Sequence, residues 1–483
     1  MTETVLLAHA YFLYYDEKQT RKMRPYAPLA TLIAGQVLRE RGHRVELFDS
    51  MLSSGTAEFE ALLRRTKPST VAILDDNFNF LSKMCTTRMR DAELEMIRMS
   101  HSMGAKVVVN GSDASDRPRS YLDAGADAII VGETEETLPE LLSAWRSGSP
   151  VDEIRGLVLP GEGELRRTPA RALATDLDAL PLPAWDLVDV ELYRRAWIRA
   201  HGRLSWSMVS TRGCPYGCNW CAKPLYGRRY AQRSPGDVAS EMQALQRRLA
   251  PDHIWFADDV FGLTPLWIES LAVELESRDV RIPFTLQSRV DLMTESACRA
   301  LAHAGAEEAW LGVESGTQAI LDRMEKEISL DMVRRATRRL RAHGVRPSWF
   351  LQLGYPGEDW AAILSTRDLI REESPHDIGV SVSYPLPGTR FHEMVSAQVD
   401  GKTNWNDSDD LAMLFNGTYG TVFYRKVRDL LHEEALVAVT DDGVERASRT
   451  IDLDRAWDAL GEEEGENRHE SPTVLPGSDS TLG

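Results

Sequence analysis

The sequence predicts an α/β protein in which a doubly wound, Rossmann-like domain precedes a partial (β/α)6 barrel and a small C-terminal helical region. Short runs of Val, Ile and Leu alternate with amphipathic helical segments near the N-terminus and again from residue 204. Such continuous apolar runs are typical of parallel strands buried on both faces. After residue 391 the strand pattern stops. We expect 1–150 for the first domain, 151–200 for a linker, 201–395 for the barrel, 396–460 for the helical region and 461–483 for a disordered acidic tail.

Five short apolar runs form the predicted sheet of the first domain. A helix over Leu29–Arg41 follows the first run, because its apolar residues recur at helical spacing and Gly42 provides a stop. Ligands of doubly wound sheets bind beyond the carboxyl ends of the strands. The predicted strands are Val5–Ala8, Val45–Asp49, Thr70–Leu74, Lys106–Val109 and Ala128–Gly132.

The end of the linker is rich in Pro and Asp over residues 176–189 and includes Pro181, Pro183 and Trp185. Proline and aspartate at this density favour turns over regular elements. We therefore expect this stretch to connect the two α/β units without forming a core of its own.

The second α/β unit shows six strand–helix alternations. Helix starts are marked by Ser234 before Pro235 and by Thr264 before Pro265, each a capping residue followed by proline at the first helical position. A parallel barrel of this kind places its active site at the carboxyl ends of the strands. The predicted strands are Leu204–Thr211, His253–Ala257, Pro283–Ser288, Glu308–Glu314, Pro347–Leu353 and Ile378–Tyr384.

Three cysteines follow the first strand of this second unit, at spacings of four and three: Cys214, Cys218 and Cys221. Gly and Pro residues between them break any helical period, which predicts a loop. Thiolates suit zinc or an iron–sulfur cluster. Three ligands would leave one iron of a [4Fe–4S] cluster open for another molecule. The alternative is a three-cysteine zinc site completed by a distant His, although no His lies at a usual offset.

The remaining composition narrows the class of protein. Only Cys85 and Cys298 remain of the five cysteines, too few for a second cluster, and Cys298 is expected to be buried in a helix. A thiolate-held cluster needs a reducing compartment, so we expect a cytoplasmic protein. The N-terminus lacks the pattern of a signal peptide, and no apolar run reaches the length of a membrane span. A net charge of −18 disfavours nucleic acid as a partner.

Taken together, these motifs resemble the cobalamin-binding radical S-adenosylmethionine (SAM) enzymes over roughly residues 1–450. The resemblance rests on the Cys-x3-Cys-x2-Cys loop with Trp220 before its last cysteine. It rests also on the turn after the first helix, on residues 125–133, and on the polar residues that follow each barrel strand. It implies three cofactors: a [4Fe–4S] cluster, SAM and cobalamin.

The same resemblance implies roles for individual residues of the barrel. Cys214, Cys218 and Cys221 would hold the cluster and act as the catalytic centre. Trp220 would lie near the adenine of SAM.

Four further residues would bind the rest of SAM. Glu314 would accept hydrogen bonds from its ribose or amino group, with Ser315 beside it. Arg289 and Ser288 would pair with its carboxylate or ribose, because a guanidinium and a carboxylate suit a zwitterionic ligand.

Three acids keep two interpretations each. Asp258 and Asp259 would fix the SAM amino group or the substrate, or would instead cap the following helix. Glu358 lies in a turn, where it would serve the site or place a negative charge at a helix N-terminus.

In the first domain, the resemblance implies that residues 75–81, Asn110, Gly111 and Ser112 line the corrin and its nucleotide tail. The Asp-x-His-x-x-Gly loop that supplies a cobalt-ligating His in many cobalamin proteins is absent. We therefore expect no protein His on cobalt and a structural or pocket role for His9. The alternative is a degenerate domain that holds no cofactor.

The function implied is methylation of an unactivated carbon by way of a 5′-deoxyadenosyl radical and methylcobalamin. The substrate would be a small molecule of natural-product, lipid or tetrapyrrole type, and an external flavodoxin- or ferredoxin-type protein would supply electrons. One alternative is a radical SAM cyclisation or rearrangement without methyl transfer. Another, from a different class, is a non-catalytic zinc- or cobalamin-binding sensor.

Overall fold

The computed structural model describes residues 4–221, 229–398, 404–440 and 442–469. Its first part is a seven-stranded sheet with helices on both faces. The sheet has the order β2-β1-β3-β4-β5-β6-β7, in which β1–β5 are parallel and β6 and β7 are antiparallel additions. The predicted doubly wound domain is confirmed. Its elements are β1 Thr4–Ala8, α1 Glu17–Lys22, α2 Leu29–Glu40, β2 Arg44–Phe48, α3 Thr56–Thr66, β3 Thr70–Leu74, α4 Phe80–Met84, α5 Thr87–Ser102, β4 Lys106–Asn110, α6 Ser112–Asp116, α7 Pro118–Asp123, β5 Ala128–Ile130, α8 Thr134–Ser147, β6 Leu157–Leu159 and β7 Arg166–Arg167.

The second part is a six-stranded parallel sheet that curves into a partial barrel, as predicted. Its strands follow one another in chain order, β8-β11-β12-β13-β14-β15, while β9 and β10 form a separate antiparallel pair. The elements are α9 Val190–His201, β8 Ser205–Met208, β9 Thr211–Gly213, β10 Tyr230–Gln232, α10 Pro235–Arg248, β11 His253–Phe256, α11 Pro265–Ser277, β12 Phe284–Ser288, α12 Glu295–Ala304, β13 Ala306–Glu314, α13 Gln318–Arg323, α14 Leu330–Ala342, β14 Arg346–Leu353, α15 Trp360–Glu373, β15 Ile378–Val382 and α16 Arg390–Val395.

The core of the barrel lies between its strands and the surrounding helices. The outward-facing side chains of successive strands are buried, among them Phe256, Phe284, Leu311, Trp349 and Val382. Burial of each such side chain stabilises the fold by about 1.5–3 kcal/mol. This burial stabilises the strand framework that carries the site.

The helix caps inferred from the sequence are present. The Ser234 hydroxyl accepts from the backbone N–H of Asp237, and the Thr264 hydroxyl accepts from that of Trp267. Cys298 is buried within α12, also as predicted.

One predicted strand is divided. Instead of a single strand over Leu204–Thr211, β8 ends at Met208 and a new strand, β9, begins at Thr211. The backbone N–H groups of Ser210 and Thr211 donate to the carboxylate of Asp258, at 2.7 and 3.0 Å. This side chain replaces the neighbouring strand as acceptor, so the chain leaves the sheet here and turns toward the cysteines.

Two segments differ from the expected connections. The predicted linker over 151–200 contains β6, which pairs with β5 and so belongs to the first sheet. It also contains nearly all of α9, which begins after its N-cap residue Asp189. The predicted tail over 461–483 begins inside a helix, since α18 and α19 extend through residue 467, and its residues 470–483 lie outside the described residues.

The C-terminal part is helical: α17 Thr421–Ala438, α18 Gly443–Glu462 and α19 Glu464–Asn467. Helix α17 contacts α15 and β15 of the barrel. Buried Glu434 of α17 accepts from the guanidinium of Arg371 on α15 and from the indole N–H of Trp457 on α18, and so joins the three helices. Within the described ranges, no helix has the length and apolar character needed to cross a membrane.

Candidate active site

The cysteine loop leaves β9 at the carboxyl end of the first barrel strand. Cys214 is buried, whereas Cys218 and Cys221 are partly exposed, and none of them is in a disulfide. Among the described residues, no three side chains of His, Cys, Asp or Glu are gathered closely enough to hold one metal ion.

Asn219 fixes the middle of this loop. Its backbone N–H donates to Met324 O and its side-chain amide to Arg323 O at the end of α13, at 3.2 and 2.8 Å. The Tyr355 hydroxyl donates to the Asn219 side-chain oxygen at 3.1 Å. Because Asn219 lies between two cysteines, these bonds set the position of both neighbours.

Arg289, at the end of β12, lies against the loop. Its Nη1 is 3.7 Å from Cys218 Sγ, and its guanidinium lies 3.7 Å from the centre of the Tyr216 ring. Its other nitrogens donate to Asp291 at 2.9 Å and to Lys326 O at 2.8 Å. The structure thus brings Arg289 to the cysteine loop and places positive charge beside a thiol.

Glu314 ends β13 in a buried ion pair that the sequence did not indicate. The Lys326 ammonium donates to its carboxylate at 2.7 Å, and both side chains are more than nine-tenths buried. The same ammonium lies 5.6 Å from the centre of the Trp220 ring. Glu314 and Trp220, both predicted for SAM, are therefore joined through Lys326.

The backbone around Glu314 is shaped to admit that lysine. Glu314 has a positive φ of 67°, a conformation that is uncommon for non-glycine residues, and the pairing of β13 with β14 shifts between Gly312 and Glu314. A Cβ atom at Gly312 would lie 2.6 Å from Lys326 Nζ. In the sequence, a glycine within a strand indicates that another group comes close to the backbone there, and at Gly312 that group is the Lys326 ammonium.

Two of the predicted acids, Asp258 and Asp259, accept hydrogen bonds from other residues of the protein. Asp258 is buried and accepts from Ser210 and Thr211, and burial raises its pKa to about 7. Asp259 accepts from Lys83 of α4 in the first domain at 3.1 Å. Neither caps the next helix, because Thr264 does so, and that alternative is wrong.

Other predicted residues are held by local bonds. The Ser288 hydroxyl donates to Phe261 O at 3.0 Å, and the Ser315 hydroxyl accepts from the N–H of Thr317 at 3.2 Å. Glu358 accepts from the N–H of Gly354 at 2.6 Å, and burial raises its pKa to about 8. Asp359, not Glu358, caps α15.

In the first domain, polar side chains line the carboxyl edge of the sheet. Asn110 donates to Ile130 O and Gly132 O and accepts from the amide of Asn77. The Asn77 side-chain oxygen and the Ser112 hydroxyl are buried and have no hydrogen-bond partner among the described residues. Unpartnered buried amide and hydroxyl groups fit a ligand that itself carries many amides, as a corrin ring does.

Gly111 lies against the same edge, where an added Cβ would come within 2.8 Å of the Asp75 carboxylate. His9 is buried and bonds to Asp49 at 2.9 Å and to Ser50. These bonds agree with the structural role predicted for His9.

Three ion pairs, made by two cations, join the carboxyl edges of the two sheets. Arg212, on β9, pairs with Glu133 and Glu135 at the start of α8, at 2.7 and 2.5 Å. Lys83 pairs with Asp259 at 3.1 Å. Arg212 lies two residues before Cys214, so its ion pairs hold the start of the cysteine loop against the first domain.

Two family comparisons cover these two parts. Residues 25–142 match the B12 binding domain and residues 208–370 match the radical SAM superfamily. The chain belongs to the cobalamin-binding radical SAM enzymes. The cofactors of this family are a [4Fe–4S] cluster, SAM and cobalamin, and the enzyme acts on a small molecule with electrons from a reductant.

Relatives of this radical SAM enzyme extend over most of its length. An uncharacterized methyltransferase of Pyrococcus horikoshii is 25% identical over 375 residues, 77% of this chain and 78% of that one. The hopanoid C-3 methylase of Methylococcus capsulatus is 27% identical over 382 residues, 77% of this chain and 69% of that one.

Two solved structures share the fold of this radical SAM enzyme. The radical SAM methyltransferase TsrM of Kitasatospora setae, with cobalamin and a [4Fe–4S] cluster bound, has a TM-score of 0.68 at 20% identity, covering 84% of this chain and 76% of that one. The cobalamin-dependent SAM radical enzyme OxsB has a TM-score of 0.70 at 17% identity, covering 95% and 72%.

Proposed function

We propose that this radical SAM enzyme is a cobalamin-dependent methyltransferase that methylates an unactivated carbon of a small molecule. The observation that carries the proposal is the contact between the two sheets, in which buried Arg212 joins the strand before Cys214 to the B12-binding domain. A fixed approach of this kind is what methyl transfer between a cobalamin and a SAM-cleaving centre requires. Relatives named as methyltransferases support the same conclusion.

The cluster would be held by Cys214, Cys218 and Cys221, with Asn219 setting the shape of the loop. When bound, the three cofactors supply the reducing electron, the radical and the methyl group. Arg289 keeps positive charge beside Cys218, which stabilises a negatively charged sulfur ligand.

SAM would be bound by the groups around the ion pair. Trp220 provides an aromatic face for its adenine, and its indole N–H is buried with no partner among the described residues, which leaves a donor for a ligand. Glu314 accepts from the ribose or amino group, and Lys326 orients that carboxylate. Ser288 and Ser315 shape the wall behind Arg289 and Glu314, while Asp258 positions the strand that leads to the cysteines.

Asn110, Gly111 and Ser112 would line the corrin ring, together with residues 75–81. A flavodoxin- or ferredoxin-type protein in the cytoplasm would donate the electron, since a thiolate-held cluster requires a reducing compartment.

The test uses anaerobically reconstituted full-length protein with cobalamin, reductant and SAM carrying a deuterated methyl group. We expect label on cobalamin and an equal amount of S-adenosylhomocysteine, both measured by mass spectrometry. Cys298→Ala is the matched control and should retain both. If 5′-deoxyadenosine forms but no label ever reaches cobalamin, methyl transfer is wrong and the cyclisation or rearrangement chemistry takes its place.

A further inference from the structure

The inward face of the barrel is identified by hydrogen bonds that cross its strands. His253 bonds to Ser205 at 2.8 Å and to Thr285 at 2.9 Å, which places β8, β11 and β12 side chains on one face. The Ser348 hydroxyl donates to Glu308 at 2.7 Å, which extends the same layer to β13 and β14. Because side chains alternate along a strand, residues two and four positions further on point into the same lumen.

The next layer along these strands is uncharged and partly open. It contains Ser207, Trp255, Gln287, Trp310, Phe350 and Gly379, of which all but Trp310 are half-buried while their outward neighbours are fully buried. Barrels of this size normally fill their interior with side chains. An inward face that stays accessible leaves room for a ligand.

An aromatic wall stands on one side of this cavity. The rings of Trp310 and Phe350 lie 4.8 Å apart at 31°. A Cβ atom at Gly379 would approach both rings, at 3.3 and 3.2 Å, so the glycine on β15 leaves room for the pair. Flat aromatic surfaces of this kind bind planar or fused-ring molecules well.

Three polar atoms around the wall have no partner among the described residues. They are Gln352 Oε1, an acceptor, Trp310 Nε1, a donor, and Ser383 Oγ. Gln352 is 3% exposed, and it lies on the same face as Phe350 and opposite Ser381 in the register. A buried polar group without a partner is unfavourable, so these atoms favour a ligand that offers one donor and one acceptor.

Charge is absent from this wall in the part of the barrel that the structure describes. The nearest charged groups on the inward face, Glu308, Glu314 and Arg289, are already paired with Arg346, Lys326 and Asp291. An anionic ligand would lose its hydration here and gain no cation in return.

We infer that the lumen between Trp310, Phe350 and Gln352 binds the substrate, and that the substrate is a neutral, ring-containing molecule with an N–H or O–H donor beside an acceptor. This inference rests on the proposed methyltransferase function, whose substrate class it names. Donation to Gln352 Oε1 and acceptance from Trp310 Nε1 orient the ring against the aromatic wall. An anionic substrate, such as a phosphorylated or carboxylated one, is disfavoured.

The test measures binding of two probes of equal shape, 1-naphthamide and 1-naphthoate, to the reconstituted holoenzyme by titration calorimetry. The amide carries the required donor and acceptor, whereas the carboxylate carries a charge and no donor. We expect the amide to bind about tenfold or more tightly than the carboxylate, and saturating SAM to leave amide binding in place. Equal or tighter binding of the carboxylate, no detectable binding of the amide, or displacement of the amide by SAM would overturn the inference.

Variants tie the binding to the named residue. Gln352→Leu should weaken amide binding by about threefold to tenfold and narrow the difference between the probes. The isosteric Gln352→Glu should weaken carboxylate binding further, which a purely structural role for Gln352 does not predict. Gln36→Leu, on the surface of α2, is the control and should change neither.

The same preparations separate this inference from the proposed function. Labelled methyl on cobalamin without selective amide binding overturns the substrate class alone. Selective amide binding without labelled cobalamin overturns methyl transfer and leaves the substrate site standing.

Discussion

The guanidinium of Arg212 lies 2.7 Å from the carboxylate of Glu133, and both side chains are more than nine-tenths buried. A second buried carboxylate, Glu135, lies on the other side of the same guanidinium. The three groups join the strand that leads into the cysteine loop to the first turn of α8. Since both carboxylates would be left unpaired without the arginine, the arginine couples the two domains energetically as well as sterically.

Replacing Arg212 with Met should lower the free energy of unfolding by about 3 kcal/mol, because two buried carboxylates lose their partner. Urea denaturation of the full chain measures the change. Arg39→Met, which breaks an exposed pair with Asp186, should cost less than about 1 kcal/mol and is the matched control. A loss in Arg212→Met no larger than in that control would show that the buried pair does not join the domains.

Each of the three loop cysteines should be necessary for the cluster. We expect Cys214→Ala, Cys218→Ala and Cys221→Ala to lose the [4Fe–4S] absorption and the bound iron after anaerobic reconstitution. Cys85→Ala and Cys298→Ala should keep both, because these residues are buried away from the loop. A full complement of iron in Cys218→Ala would contradict the assignment of the ligands.

Lys326→Met should weaken SAM binding by about tenfold, because it leaves the buried Glu314 carboxylate unpaired and free to turn from its position. Equilibrium dialysis with labelled SAM measures the dissociation constant. Lys326→Arg should lose less than Lys326→Met. The control is Lys426→Met, which breaks an exposed pair with Glu463 and should bind SAM normally. Unchanged SAM affinity in Lys326→Met would remove the ion pair from the SAM site.

Bound cobalamin should show no nitrogen ligand from a His in the electron paramagnetic resonance spectrum of its Co(II) form. The reason is that His9, at the end of β1, is already bonded to Asp49 and Ser50. His9→Ala should therefore leave the spectrum unchanged. Nitrogen coupling that is present in the native protein and lost in His9→Ala would prove this prediction wrong.

Stability should depend on pH through the acids after β3. Burial raises the pKa of Asp76 to about 6 from its ordinary value of 3.8, and burial raises the pKa of Asp75 as well. At Asp76 the folded state therefore binds more protons than the unfolded state between about pH 4 and 6. The contribution of Asp76 to stability is complete below about pH 4 and is lost as the pH rises through about 6.

Asp76→Asn keeps the acceptor for the Ala30 N–H but carries no charge. We expect it to raise the free energy of unfolding of the cobalamin-free protein at pH 8 by up to about 3 kcal/mol, and to change it little at pH 4. Thermal denaturation at both pH values measures this. Asp123→Asn, at an exposed position, is the control, and an equal effect of Asp76→Asn at both pH values would refute the pH dependence.

The strands of both sheets could be predicted because their apolar runs are continuous, as buried parallel strands require. The division of the first barrel strand could not, since it depends on Asp258, 48 residues away, taking the place of a neighbouring strand. Strand β6 could not be predicted either, because it also depends on a distant partner. Three apolar residues in a polar stretch do not indicate that they will pair with β5.

Some residues of the site could likewise be predicted from the sequence, and others could not. The cysteines follow from their spacing, and Glu314 and Arg289 from their positions at strand ends. Lys326 could not be found, because it lies between two helices and reaches the site only through the space left by Gly312. The positions of Asp258 and Asp259 after a strand predict contacts with a ligand, but they do not reveal that Asp258 accepts from Thr211 or that Asp259 accepts from Lys83 of the first domain.

The layer of Ser205, His253 and Thr285 has a consequence for the response of the barrel to pH. Burial lowers the pKa of His253 to about 4, so its imidazole stays neutral and hydrogen-bonded at physiological pH. These three side chains join the amino-terminal ends of β8, β11 and β12. A change of pH near neutrality therefore leaves the charge and the hydrogen bonds at this end of the strands as they are.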